Sequence, residues 1–219
     1  MPITLLWKCR LGANPSGLPT GFVTFGPAFL DSNLPTEVLM LLPSTQGSTG
    51  LLRRIQDTPE ITRGRGVGLF LGDPFLNRPQ ICALLGRLGV NWVANLPALA
   101  QHDEEFLHYA GDVGFSIANE IKALSAYRAD GLKTLAVVSA TSHCAALMSH
   151  PADAVLVVPN ARELQVSFPS LPRRQTMVRD IQNILVDAGL DIPVIPLVTR
   201  AEGDLGGICA IERPVPVDG

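Results

Sequence analysis

Leu135-Ala136-Val137-Val138 followed by Ser139-Ala140-Thr141 is an apolar, β-branched run that stops at small polar residues. A run this short, set between helix-length stretches, reads as a strand buried on both faces, as in a parallel sheet packed between helices. The pattern recurs on either side. Residues 67–71 run into Gly72-Asp73-Pro74, 91–94 into Asn95-Leu96-Pro97, 155–158 into Pro159-Asn160, and 194–198 into Thr199-Arg200. Residues 38–42, ending in Ser44-Thr45-Gln46, read as one more strand. Ligands of such sheets sit beyond the C-terminal ends of the strands, so these polar endings mark the expected site.

Between the runs lie helical patterns. Residues 80–88 carry Ile81, Leu84, Leu85 and Leu88 at helical spacing and stop at Gly89, a favourable residue just past a helix end. Residues 104–110, 117–129, 142–148 and 174–188 read as further helices, the last being the longest. Residues 22–25 read as the first strand, with the Gly- and Pro-rich stretch up to 38–42 too broken for a long helix. With 207–211 as the last, the count is about eight, which points to a (β/α)8 TIM-barrel-like α/β fold. The first and last helices are expected to be reduced or missing. That leaves flanks for a second copy to cover, so a homo-oligomer is expected.

Composition is consistent with one domain spanning residues 1–219. The chain is 47% hydrophobic, with mean hydropathy +0.26, enough to bury a large core. Net charge is −3 and the pI is near 5.8, with no basic cluster of the kind nucleic acid requires. Cys9, Cys82, Cys144 and Cys209 are scattered without metal-type spacing, as in a reduced, cytoplasmic protein. The N-terminal stretch meets charge at Lys8 and Arg10 too soon for a signal peptide, and no run approaches a membrane span.

Several segments together resemble the phosphoenolpyruvate hydrolase-like family of TIM barrels. They are Gly72-Asp73-Pro74-Phe75, Leu85-Gly86-Arg87-Leu88-Gly89-Val90 leading into Ala94-Asn95-Leu96-Pro97, and Gly114-Phe115-Ser116 with Glu120 on the next helix. Ala152-Asp153-Ala154-Val155 and Ile211-Glu212-Arg213-Pro214 complete the series. Order and spacing carry the likeness over residues 38–217. The resemblance implies chemistry on a small anionic 2-oxo acid or a phosphorylated or phosphonate relative. The departures are equally plain: Pro43-Ser44-Thr45-Gln46-Gly47, Val158-Pro159-Asn160 and Val198-Thr199-Arg200-Ala201 replace family motifs, and two histidine positions are lost.

Asp73, at a strand end, is a candidate general base or Mg2+ ligand; an Asp before Pro also starts turns. Asn95 offers a donor and an acceptor for an enolate oxygen, or else for the backbone of its own loop. Glu120, in an apolar stretch, is a candidate acid, base or second metal ligand with a raised pKa; the alternative is a carboxylate favouring the first helical turn. Arg200 is suited to gripping an anion. Ser44, Thr45, Ser139, Asn160 and Glu212 are candidate substrate contacts at the rim, although Glu212 also suits a local pair with Arg213. Residues 44–50 look like a loop over the mouth, with Arg63 and Arg65 supplying charge, and Gly203-Asp204-Leu205-Gly206-Gly207 is a weak phosphate-loop pattern. Of the histidines, His143 is the candidate proton carrier; surface or capping roles fit all four.

Two functions follow. One is a lyase or hydrolase acting on a small anionic metabolite, with Mg2+ as the implied cofactor. The other is a barrel that has lost catalysis and works as a ligand-sensing or protein-interaction module.

Overall fold

The computed structural model describes residues 4–10, 17–26, 34–42, 47–202 and 209–217. Its first strand falls in the N-terminal stretch that the sequence pattern leaves unassigned. Strand β1 (Thr4–Arg10) alternates buried Leu5, Trp7 and Cys9 with exposed Lys8 and half-buried Arg10, the period of two that buries one face of a strand. It pairs antiparallel with β2 (Gly21–Phe25), Leu6 opposite Val23. From β2 the sheet runs parallel through β3 (Gly66–Leu69), β4 (Trp92–Asn95), β5 (Lys133–Val138), β6 (Ala154–Val157), β7 (Val194–Val198) and β8 (Ala210–Glu212). Strand β8 and the short β9 (Val215–Pro216) pair with the other edge of β1, which closes the sheet. The fold is a closed eight-strand TIM-barrel-like α/β barrel with one strand reversed.

The strand expected at 38–42 is a helix instead. Residues 36–39 form α1 (Thr36–Leu39) behind Pro35, with Leu39 N bonding to Pro35 O and Met40 N to Thr36 O. Both edges of β2 are already taken by β1 and β3, so a strand here would have had no partner. A full helix, α2 (Gly47–Asp57), then crosses to β3, while the described residues between β1 and β2 hold no helix. The barrel reaches eight because β1 takes the place assigned to 38–42.

The remaining helices are α3 (Arg78–Arg87), α4 (Glu104–Asp112), α5 (Ile117–Ala129), α6 (Cys144–Ser149), α7 (Ala161–Val166) and α8 (Leu171–Asp187). Polar caps start several of them: Asn77, Asp103, Ser116 and Asn160 each accept a backbone N–H of the first turn. After β8 the described chain has no helix; β9 takes its place, and Val217 N donates to Thr4 O at 2.8 Å.

Alternation along the strands divides the core in two. Val23, Val67, Val93, Ala136, Val155 and Leu185 belong to the layer between sheet and helices. Trp7, Phe22, Trp92, Leu135, Leu156, Leu197 and Ile211 fill the interior. Phe22 and Trp92 meet edge to face at 6.3 Å although β3 lies between their strands. They can do so because β3 places Gly66 there. A Cβ on Gly66 would sit 2.5 Å from the Phe22 ring and 2.9 Å from Trp92 Cβ.

Candidate functional site

The C-terminal rim of the parallel strands, where a barrel of this kind carries its site, is crossed by α1. Helix α1 follows β2 yet packs on α7, which follows β6 on the far side of the ring. Met40 joins the interior cluster with Ala94, Leu96, Ala98, Ala100 and Val158, so side chains of the chain itself fill the mouth on its axis. Glu37, fully buried, forks onto Arg213 just past β8, with Arg213 Nη2 donating to Oε2 at 2.8 Å and Nε donating to Oε1. That partner holds Arg213 above its ordinary pKa. The Arg213 and Arg174 guanidinium groups lie over the Phe168 ring, 4.6 and 4.4 Å from its centroid. Arg174 is itself buried and tied to Pro169 O, Leu197 O and Glu202. Lifting α1 would break the Glu37 fork and expose Val38, Leu39 and Met40, at a cost of about 5 kcal/mol in apolar burial alone.

The expected site residues fall into separate places. Asn95 and Glu120 are brought together, Asn95 Nδ2 donating to Glu120 at 2.8 Å. They meet behind the sheet rather than in the mouth: Trp92 and Ala94 face the interior, so Asn95 points outward toward α5. Asn95 Oδ1 accepts Val137 N at 2.8 Å, and both Glu120 oxygens accept Leu99 N at 3.2 Å. Burial pushes the Glu120 pKa up to about 8 against the opposing pull of these donors. The carboxyl is therefore largely protonated at neutral pH.

Arg200 lies exposed on the turn after β7; its carbonyl accepts from Arg10 Nη2 at 2.9 Å. Glu212 pairs with Arg10 at 2.7 Å rather than with Arg213. Asn160 caps α7 by accepting Glu163 N. Ser139 is buried with its Oγ unpartnered among the described residues and lines a cavity of about 30 Å3 with Glu163, Arg173 and Arg174. Its backbone N donates to His143 Nδ1, and burial lowers the His143 pKa. Arg63 and Arg65 precede β3 and so lie at the opposite rim from the mouth. Ser44, Thr45 and the stretch 203–207 lie outside the described residues. Among the described residues no three His, Cys, Asp or Glu side chains gather as metal ligands, and the oxygens of Glu120 face N–H donors.

Asp73 faces a different space. A cavity of about 430 Å3 opens at the ends of β2, β3 and β4, lined by Asp73, Phe25, Phe70, Phe106, Phe115 and His102 among others. Asp73 Oδ1 accepts Phe75 N at 2.9 Å, the turn expected of Asp before Pro. His102 stacks on Phe106 with centroids 3.9 Å apart and planes 16° apart. The sequence pattern suggests only a surface or capping role for His102 and does not single out Phe106 or the Glu37–Arg213 pair. For His102 and Phe106 the signal is local: they flank the Asp103 cap, His102 just before it and Phe106 in the first turn of α4.

No family model and no curated protein matches the sequence. Among solved structures the chain is similar to a FabK mutant from Thermotoga maritima, at 16% identity and a TM-score of 0.37. The match takes in 71% of this chain and 43% of that one, so the chain spans less than half of that protein's length.

Proposed function

We propose that this chain is a TIM barrel that binds a small molecule without catalysis on the barrel axis, a ligand-sensing or interaction module. One observation carries the reading: α1 fills the mouth, with Glu37 occupying the Arg213 fork and Met40 in the interior cluster. An anion on the axis would need that space and that guanidinium. The open cavity at the ends of β2, β3 and β4 lies off the axis and is apolar and aromatic.

A second reading keeps the chain a lyase or hydrolase of a small anionic 2-oxo acid, as the resemblance implies. It is favoured by Arg213, a guanidinium already forked onto a carboxylate at the end of β8. Incubating the purified protein with oxaloacetate and phosphonopyruvate, with and without Mg2+, separates the two. The first reading expects no turnover above buffer; turnover abolished by Arg213→Met would replace it with the second. Self-association belongs to either reading, since Phe75, Tyr109 and Val113 stand 91%, 62% and 70% exposed. So does a cytoplasmic location; no described helix is long and apolar enough to cross a membrane.

A further inference from the structure

The off-axis cavity has a chemistry of its own. Among the described residues five phenylalanines, Phe25, Phe70, Phe75, Phe106 and Phe115, line it, and His102 lies nearly parallel to Phe106. Burial lowers the His102 pKa, which leaves that ring neutral at pH 7 and no rival cation for the carboxylate. Among the described residues Asp73 is the one acidic residue of the lining, and no Lys or Arg joins it. Its Oδ1 is held by Phe75 N, while its Oδ2 has no partner among the described residues. A volume of about 430 Å3 is in the range of sites that hold flat, drug-sized ligands and is far larger than a 2-oxo acid needs.

We propose that this cavity binds a flat heteroaromatic molecule bearing a positive charge or paired N–H donors, its ring against the phenylalanine faces and its donors on Asp73. The proposal rests on the small-molecule reading above and names the class of ligand. Aromatic walls favour a planar occupant through offset stacking or edge contacts. They also favour a delocalised cation, which the ring faces attract. The carboxylate sets the polarity: in an apolar surround it strengthens a charge-assisted hydrogen bond and repels an anionic ring of the same shape.

The test uses 2-aminobenzimidazole, whose amidine edge offers parallel N–H donors, and 2-naphthoate, a flat anion of similar size. Both are titrated into the intact chain by calorimetry at neutral pH and low salt. The expected result is saturable binding of 2-aminobenzimidazole, weakened about tenfold in Asp73→Asn, which can still accept Phe75 N, and about fivefold in Phe106→Ala. 2-Naphthoate should bind the wild type at least about tenfold more weakly, and Asp73→Asn should narrow that gap. Absence of saturable binding up to about 1 mM, or affinity unchanged in both variants, overturns the proposal. Turnover of a 2-oxo acid is a separate readout that overturns only the functional reading.

Discussion

Glu120 should make the barrel lose stability as pH rises, the reverse of what a salt-bridged carboxylate does. Its side chain is 1% exposed and meets only amide donors, Asn95 Nδ2 and Leu99 N, with no ion pair among the described residues. Burial raises its pKa from 4.5 in the reference state to about 8 when folded. Between those values the unfolded chain has released a proton that the folded chain keeps. Stability is thus fully present below the reference value and falls by about 1.4 kcal/mol per pH unit until the folded value is reached, about 5 kcal/mol in all. Glu120→Gln removes the titration while leaving an oxygen to accept from Asn95. Thermal unfolding of both proteins from about pH 5 to about pH 9 should show the difference between them shifting in favour of the glutamine variant, by about 10 °C. His102 and His143, whose pKa values burial lowers, lose stability in the opposite direction as pH falls, but they are common to both proteins and cancel. A difference that stays constant across that range, or shifts toward the wild type at high pH, would refute the reasoning.

Gly66→Ala should cost about 3 kcal/mol or more, because its Cβ collides with Phe22 and Trp92, both rigidly enclosed; chemical denaturation would measure it. Glu37→Ala should destabilise by about 3–5 kcal/mol by leaving the half-buried Arg213 guanidinium uncompensated, while the double replacement Glu37→Leu with Arg213→Met should recover most of that loss. Light scattering at micromolar concentration should report a species larger than a monomer, and Phe75→Ser with Tyr109→Ser should shift it toward monomer; a monodisperse wild-type monomer would count against self-association.

Much of the barrel was legible because its parallel strands are buried on both faces, which forces β-branched apolar runs such as Leu135 to Val138. Helix ends were legible where a cap or a glycine stands in sequence, as at Ser116 and Gly89. The run at 38–42 misled because a short apolar stretch fits a buried helix as well as a strand, and only the closed pairing around β2 settles which. Strand β1 does alternate, yet it is short and its two charges, Lys8 and Arg10, fall within its last three residues. Asn95 was recognised as a polar strand end, but the direction it faces depends on which neighbours fill the interior, and that follows from the closed sheet. Glu37 and Arg213 lie 176 positions apart, and nothing local links them.

The reversed first strand joins segments far apart in sequence. Cys9 opposite Ile211, Leu6 opposite Val215 and the Val217 to Thr4 bond make one seam from residues about 200 positions apart. Bringing such distant segments together costs about 5 kcal/mol of chain entropy, so this seam is the step least favoured in early folding. During synthesis β1 can dock on β2 almost at once, but its other edge must wait until residues 210–217 have left the ribosome. Until then Leu5, Trp7 and Cys9 are a half-made wall, exposed to whatever else offers a strand.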